Sequence, residues 1–586
     1  MPAVTLQFAE WMPDQFRLGS PGAAVITNVV PLTPTSYGPF PTASTYTTNG
    51  LTGRCIGSYT TRDTAKNVFV FAGDAAKLYL LRAGSADWTD ISRAGSPAYT
   101  GAVWPDTQWS FTSFGLRVIA CNYTDESQTY LVGTDTIFSN LGNVSTTGDT
   151  HTNTTLDNLG TTTGVRAGMT ATGGSIPAGT TVISVDSSTA VTLSQAAAGT
   201  ATGVSITFTA SVPKAKYCEA IGDHLMLANT FDSVDGVQPQ RVWFSAIGDP
   251  TNWPTPGTTA AIQVQSDFQD LQQTDLGAIT GLVPGPLPTA SATIFCEHGV
   301  WTALYVGSPA IYSFKVADGA PGCLSPRSIV RRRITAGGNA TAVIYYLGED
   351  GFYAFNGTSA VPIGANRVDR TVLAEIDPLQ RSVVLGAYDP VRKLVYWAYS
   401  TAGATAAYNR MVVFNWDINR WSYIDLTNNT IEWITHTASI GYTLDGLDAT
   451  GYNMDTLPFS LDSEAWVGGM PAMAVFNSAH RLGYLTGSNM APTVETVEAE
   501  LVPGYRFRIM NARPQVDVTG GSVSIGVRER EADSVTYKTA VLMNAMGECP
   551  QRYTGRYARA RYTLPAASSF THLSGVEIEA MQEGKR

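Results

Sequence analysis

The sequence predicts an all-β protein: a β-propeller with an inserted small β-domain and a C-terminal β-sandwich or barrel. Short runs rich in Val, Ile, Tyr and Phe alternate with tight turns containing Gly, Asp and Asn. Helical periodicity is almost absent, and residues 369–376 are the best helical candidate. Sheet-like groups recur at intervals of roughly 40–55 residues, which is the range of propeller blades. A series of β-sandwiches is the alternative architecture.

The stretch 341–364 shows the local pattern most clearly. "TAVIYYL" is followed by "GEDGFYAFNGT", in which Asp350-Gly351 and Asn356-Gly357 are typical of two-residue type I′ turns. The flanking runs suit a pleated, half-buried surface, so the stretch predicts a three-stranded meander. Similar paired runs occur at 67–84, 109–122, 293–307 and 393–426.

Tryptophan recurs just after the turns that end several of these groups. Trp88, Trp253 and Trp421 follow turns in "ADWTDIS", "PTNW" and "NRWSYIDL". A tryptophan on an outer strand could cover the gap between neighbouring sheets. This recurrence favours a propeller, because its sheets radiate side by side around one axis.

One segment interrupts the pattern. Residues 142–209 are rich in Thr, Ser, Ala and Gly and have no aromatic residue before Phe208. "TTVISVD" and "AVTLSQA" still alternate polar and apolar residues, which indicates strands. We therefore predict a small β-domain inserted at an exposed loop and projecting from the body. Without it, residues 45–430 hold six or seven blades of about 45–50 residues each.

The C-terminal part again alternates with period two, as in "GSVSIGVRERE" and "RYARARYTLP", and predicts a separate β-domain. The predicted organisation comprises an N-terminal extended segment (1–45), the first propeller blades (46–141), the inserted domain (142–209), the remaining blades (210–430), a loop-rich crossing (431–493) and the C-terminal β-domain (494–586).

Composition limits the function classes. The 586 residues carry a formal net charge of −11 and only 15% charged residues, so the chain lacks the basic stripe of a specific nucleic-acid binder. We interpret its arginine groups as surface and strand-edge charges; these are Arg331, Arg332, Arg333, Arg552, Arg556, Arg559 and Arg561. The sequence shows neither a signal peptide at its start nor an apolar run long enough for a membrane helix.

The search for chemistry gives few candidates. The sequence lacks Walker A, HExxH, GxSxG and strand-linked GxGxxG patterns. The six cysteines are scattered without a CxxC pair, which indicates buried thiols in place of disulfides or a zinc site. Cys296 and His298 could form a nucleophile pair, but a third, orienting group is not identifiable. We therefore predict no catalytic residues, no metal, no cofactor and no enzymatic activity.

Several blocks of the chain resemble the tail nozzle, or tail-tube hub, proteins of short-tailed bacteriophages. The resemblance rests on "EWMPDQFRLGSPGAAVITNVVPLTPTSYGPF", "RDTAKNVFVFAGDAAKLYLL", "VWFSAIGDPTNW", "SDFQDL", "GEDGFYAFNGTSAVPIGANRVDR" and "YDPVRKLVYWAY". The insert resembles a small β-module found in many phage structural proteins, and it departs from the minimal family pattern.

The resemblance implies a structural virion protein made in the host bacterial cytoplasm. It implies a homo-hexameric ring below the portal and adaptor, or head-to-tail connector, that retains packaged DNA and passes it at ejection. Tail fibres or spikes could bind its flank, and genomic DNA would pass without specific binding, since negative charge repels a polyanion.

Residues 441–466 space several aspartates among Leu and Met without an EF-hand pattern, so a solvated loop is favoured over a calcium site. Asp445, Asp448 and Asp455 are our candidates for channel-facing residues. Two other functions stay open. One is a receptor-binding tail protein that adheres to the host through the insert. The other is a propeller glycan hydrolase with clustered carboxylates.

Overall fold

In a computed structural model, seven small antiparallel sheets form a closed propeller. The structure describes residues 3–15, 20–82, 84–95, 98–232, 234–272, 274–286, 291–336, 339–404, 407–438 and 471–584. Six of the seven sheets are four-stranded, and the remaining one is the first four strands of a ten-stranded sheet. We number these blades 1 to 7 in chain order.

Each blade runs from an inner strand at the propeller axis to an outer strand at the rim. Blade 1 comprises Ser58–Arg62, Val68–Gly73, Leu78–Arg82 and Thr89–Asp90. Blade 2 comprises Ser110–Phe114, Arg117–Cys121, Gln128–Leu131 and Ser139–Asn140. Blade 3 comprises Lys214–Ile221, His224–Asp232, Gly236–Phe244 and Asp267–Asp270. Blade 4 comprises Ile279–Pro284, Ser291–Cys296, Val300–Gly307 and Ile311–Val316. Blade 5 comprises Val330–Ala336, Asn339–Leu347, Phe352–Phe355 and Ala360–Pro362. Blade 6 comprises Leu385–Asp389, Leu394–Tyr399, Arg410–Asn415 and Arg420–Asp425.

Blade 7 closes the ring with strands from both ends of the propeller sequence. Ile431–Ala438, Pro471–Asn477 and Leu482–Tyr484 supply three strands, and Ser44–Thr45 pairs with the last of them. The prediction of a loop-rich crossing at 431–493 is therefore wrong where the structure describes it. A strand that pairs with residues more than 400 positions away leaves no local signal, because its partner is found only on folding.

Within the ranges that the structure describes, helices are few and short. The α-helices are Thr259–Val264 and Asp369–Glu375, and the 3₁₀ helices are Thr274–Leu276, Pro326–Ser328 and Pro378–Val383. The helix predicted at 369–376 is confirmed within one residue. None of the helices in the described ranges has the length and hydrophobicity of a membrane span.

Tryptophans lie at seams between blades. Trp88 stacks on Phe476 of blade 7, with ring centroids 5.7 Å apart. Trp421 of blade 6 packs against Phe352 of blade 5 at 5.3 Å. Trp253 is buried in a cluster shared by blades 2 and 3. Large aromatic side chains fill the wedge between radiating sheets, since each contributes more contact area than an aliphatic residue.

The meander at 341–364 forms as predicted, but its turns do not. Leu347 pairs with Phe352 and Phe355 pairs with Ala360, so each connection has four residues instead of two. In the second connection the Asn356 carboxamide oxygen accepts hydrogen bonds from the backbone N–H groups of Thr358 and Ser359, both at 3.0 Å. This side-chain-to-backbone turn replaces the type I′ geometry.

The insert lies between blades 2 and 3 and forms its own six-stranded sheet. Its strands are Val144–Thr150, Thr155–Asp157, Thr170–Thr172, Val182–Ser187, Ala190–Leu193 and Ala201–Thr209. Its core holds Leu156, Val191, Ile206 and Phe208, all fully buried. An ion pair between Arg166 and Asp249 joins the insert to the segment between the third and fourth strands of blade 3.

Residues 3–15 and 20–39, here called the strap, connect the propeller to the C-terminal β-sandwich. The strap strands are Ala3–Gln7, Glu10–Trp11, Gly22–Ala23, Ile26–Thr27, Val29–Thr33 and Ser36–Pro39. The sandwich strands are Thr493–Glu495, Arg506–Val516, Ser522–Arg528, Thr536–Tyr537, Val541–Leu542, Cys549–Gly555, Tyr557–Thr563 and Leu573–Gly584. Within the strap, Ala3–Gln7 pairs with Leu573–Gly584 of the sandwich.

The sandwich is not separate from the propeller, contrary to the prediction. Thr27 pairs with Tyr423 of blade 6, and Ile26 pairs with Val494 of the sandwich. One ten-stranded sheet therefore runs from blade 6 through the strap into the sandwich. One apolar cluster likewise includes residues of the strap, blades 5 and 6 and both sandwich sheets. The strap thus makes these parts one packed body.

Candidate functional site: the propeller channel

The seven inner strands surround a channel of about 410 Å³ at the propeller axis. Inner strands of neighbouring blades contact each other, and a buried apolar cluster joins blades 4 and 5. Every blade contributes lining residues from its inner strand; examples are Thr60, Phe111, Glu219, Leu282, Arg331, Tyr388 and Trp433. The fold thus brings side chains that are far apart in sequence to one cavity.

Glu219 is the carboxyl group of this lining. Its Oε1 atom accepts a hydrogen bond from the Thr112 hydroxyl at 3.2 Å, and that hydroxyl accepts one from the Ala220 N–H at 3.1 Å. Burial raises the pKa of Glu219 from 4.5 to about 8, against the opposing effects of Thr112 and Arg331. At neutral pH the group is mostly protonated and uncharged.

Two arginines share the cavity with Glu219. Arg327, in the 3₁₀ helix before blade 5, donates from Nε to the Gln108 side-chain oxygen at 3.1 Å and from Nη2 to the Trp109 carbonyl at 2.6 Å. Arg331, on the inner strand of blade 5, donates from Nη2 to the Gly285 carbonyl at 3.4 Å. Burial lowers the pKa of both guanidinium groups. Each guanidinium group is held by hydrogen bonds to uncharged oxygen atoms.

Aromatic rings form the remaining walls. Tyr59 of blade 1 stacks on Phe111 of blade 2, with centroids 6.5 Å apart. The Trp433 indole N–H donates to the Ser58 hydroxyl at 2.9 Å, across the seam that closes the ring. These contacts fix the rings in place, so the cavity has a rigid apolar surface beside its charged groups.

The dimensions exclude one use of this channel. A DNA duplex is wider than its own major groove of about 12 Å, and the cavity of about 410 Å³ between the inner strands is too small to hold it. The two-carboxylate glycosidase mechanism needs a pair about 5–9.5 Å apart. Over the described lining, Glu219 is the single carboxyl group, so that pair is not assembled here.

The sequence-predicted candidates have different outcomes. Asp445, Asp448 and Asp455 lie outside the described residues. The Cys296 side chain packs in an apolar cluster, and burial raises its thiol pKa to about 12, which disfavours the nucleophilic thiolate. The six cysteines are buried and unbridged, and the described residues contain no group of three or more potential metal ligands.

Arginines expected at the surface are partly interior. Arg331 lines the channel, Arg559 is 4% exposed, and the Arg561 guanidinium donates to Glu495 at 2.7 Å. Sequence analysis missed the role of Arg331, because a basic run looks the same on an outer or an inner strand. It also missed Glu219, whose only signal is its position in "KAKYCEAI", the inner strand of blade 3.

Comparison with known proteins adds little to this geometry. No protein-family model and no curated protein matches the chain. Similar solved structures include YCF48 bound to D1 peptide, with TM-score 0.33, 9% identity, and coverage of 78% of this chain and 97% of that one. YCF48 from Cyanidioschyzon merolae has TM-score 0.33, 8% identity, and coverage of 76% and 98%.

An exo-beta-1,3-galactanase from Phanerochaete chrysosporium is also similar, with TM-score 0.26, 11% identity, and coverage of 92% of this chain and 99% of that one. The expectation that the chain is not an enzyme is corrected by this finding, because a glycan-cleaving enzyme is among the similar structures. At such TM-scores the likeness carries no argument about activity, so the enzymatic status of the chain is open.

Proposed function

We propose that this chain is the subunit of a phage tail nozzle. In this proposal it is a structural virion protein that forms a ring-shaped conduit below the portal and adaptor of a short-tailed bacteriophage. The ring retains packaged DNA and passes it at ejection. The proposal rests on the ordered sequence blocks that resemble such proteins, and on where those blocks lie in the fold.

The observation that carries the proposal is a joint between two of these blocks. Glu10 in the strap forms an ion pair with Arg367, which follows blade 5. The Asp14 carboxylate accepts hydrogen bonds from the backbone N–H groups of Arg370 and Thr371, at 2.8 and 2.9 Å. The resemblance therefore covers residues that fasten the strap to the propeller, which is a mechanical role.

The contacts of the strap favour a function in which the protein must resist mechanical force. It joins blade 6 to the sandwich through one continuous sheet, and Trp11 packs on Tyr423 with centroids 5.2 Å apart. Pulling the sandwich away from the propeller would break backbone hydrogen bonds and expose buried aromatic surface together. A conduit under the pressure of a packaged genome needs such stiffness.

In this proposal DNA passes between copies of the chain, because the propeller channel is too small for a duplex. A ring of identical subunits around a central hole supplies the path. The formal net charge of −11 per chain favours sliding over binding, since like charges repel at short range.

Electron microscopy of negatively stained protein tests the proposal, with the purified chain imaged alone and after mixing with the portal–adaptor complex of the same phage. We expect rings of six copies with a central hole wide enough for duplex DNA. Particles made without this chain should have filled heads that then lose DNA. Monomers alone in both preparations, or DNA retention without the chain, would contradict the proposal.

A second candidate function is host-surface adhesion through the insert. It is favoured by the self-contained core of the insert and by the approach of its ends: a Cβ atom on Gly142 would lie 2.8 Å from the Ala210 Cβ. Virions whose chain lacks residues 142–209 discriminate the two functions. Normal assembly with lost adsorption supports adhesion, whereas normal adsorption removes this candidate.

A further inference from the structure

Two guanidinium groups in the propeller channel have unused binding capacity. Among the described residues, neither Arg327 nor Arg331 forms an ion pair, although both line the cavity. A guanidinium group has five N–H donors. Arg331 uses one of them, at 3.4 Å, and its Nε atom is buried without a partner. Both side chains are half-buried, and a charge that is partly removed from water is stabilised by a paired anion.

We propose that the propeller channel binds a small organic oxyanion between Arg327 and Arg331. A carboxylate or phosphate oxygen pair matches the planar fork of a guanidinium group and forms charge-assisted hydrogen bonds with it. Arg327 and Arg331 line the same cavity of about 410 Å³, so a ligand that fills the cavity contacts both side chains.

The shape and the walls of the cavity define the rest of the ligand. Its volume of about 410 Å³ lies at the lower end of the usual range for small-molecule sites. Tyr59, Phe111 and Trp433 supply flat apolar surfaces next to the arginines. A compact anion with a planar apolar body fits this combination better than a bare inorganic ion, which leaves the aromatic walls uncovered.

Glu219 makes binding depend on pH. Thr112, Arg331 and Tyr59 interact with Glu219, and Arg333 and Tyr388 act on Arg331. Arg327 and Tyr217 line the same cavity. While Glu219 is protonated, the two guanidinium groups dominate the charge of the cavity. Once its pKa of about 8 is exceeded, its carboxylate competes with the ligand for Arg331 and repels the ligand.

Isothermal titration calorimetry of the full chain with benzoate and with inorganic phosphate tests the proposal. Benzoate represents an aromatic carboxylate and phosphate a bare oxyanion. We expect benzoate to bind more tightly, and Arg331→Gln to weaken it by about tenfold or more, since one charge-assisted interaction is lost. Arg392→Gln, on an exposed loop, is the matched control and should leave affinity unchanged.

A pH comparison separates a ligand site from a merely structural arginine pair. Wild-type affinity for benzoate should fall as pH rises through 8, whereas Glu219→Gln should keep its affinity over that range. Arg327 is left intact, because it holds Gln108 and Trp109 in place. Tryptophan fluorescence confirms that each variant is folded.

Three results would overturn the inference. The first is no heat of binding with either anion. The second is equal affinity for Arg331→Gln, Arg392→Gln and wild type. The third is tighter binding of phosphate than of benzoate, which would indicate a general anion site without the aromatic recognition argued here. Each result is independent of whether the chain forms a ring.

Discussion

The insert and the propeller body are both antiparallel β-structure, yet they use opposite packing strategies. The insert core belongs to residues 144–210 alone and has Phe208 as its one aromatic member. The hydrophobic clusters of the body join different structural parts. The largest cluster includes residues of the strap, of blades 5 and 6 and of both sandwich sheets. The insert is therefore a local folding unit, whereas the body gains stability only when distant segments meet.

This difference predicts two unfolding transitions that can be observed separately. The chain has 12 tryptophans and none lies in 142–209, so tryptophan fluorescence reports on the body. Far-UV circular dichroism reports on both parts. Substitutions in each unit test whether the insert and the body unfold independently.

Trp421→Ala should have the largest effect. Its side chain is fully buried, its ring lies 4.8 Å from Phe414, and its N–H donates to the Ile363 carbonyl at 3.2 Å. We expect a loss of about 3–5 kcal/mol in the free energy of unfolding of the body. Urea denaturation followed by fluorescence measures it. A transition of the insert that shifts equally would contradict the separation of the two units.

Leu156→Ala should destabilise the insert by about 2–5 kcal/mol, because a fully buried leucine leaves a cavity in a small core. The circular dichroism transition of the insert should move to lower urea. The fluorescence midpoint of the body should stay unchanged. A matched shift in fluorescence would show that the insert and the body unfold together.

Glu219→Gln should change how the stability of the body depends on pH. Burial raises the pKa of Glu219 to about 8, so the folded state keeps a proton that the unfolded state releases above about 4.5. The protonated Glu219 side chain therefore contributes most to the free energy of unfolding below pH 4.5. This contribution declines as pH rises and no longer changes above about pH 8.

The variant lacks this decline, so its stability relative to wild type should increase from acidic to alkaline pH. Urea midpoints measured across the range check the sign. Arg392→Gln, on an exposed loop, is the control and should show no such trend, because arginine keeps its charge over this pH range. A stability difference that is independent of pH would contradict the raised pKa.

Deletion of residues 142–209, with the ends rejoined, should have the smallest effect on the body. The chain ends of the insert already meet near Gly142 and Ala210, so closure costs little. We expect the free energy of unfolding of the body, measured by fluorescence, to stay within about 0.5 kcal/mol of the wild-type value. A large loss of stability would show that the Arg166–Asp249 contact couples the two units.

The local features of the fold were predictable from the sequence. Short apolar runs at 67–84 and 393–426 predicted the strands that form there, since a strand buried on both faces is a short continuous apolar run. The absence of aromatic residues from 142 until Phe208 marked the insert. Its small core is built mainly of aliphatic side chains, whereas the body uses many aromatic ones. The tryptophans at 88, 253 and 421 indicated seams between sheets.

The distant segments that meet could be identified only in the folded protein. Ser44–Thr45 completes blade 7, and Ile26–Thr27 fuses blade 6 to the sandwich, yet two-residue strands have no recognisable sequence pattern. The channel is decided in the same way: Glu219, Arg327 and Arg331 come together because seven inner strands converge on one axis. Backbone pairing across hundreds of residues depends on ring closure, which is a property of the whole chain and leaves no trace in any short stretch.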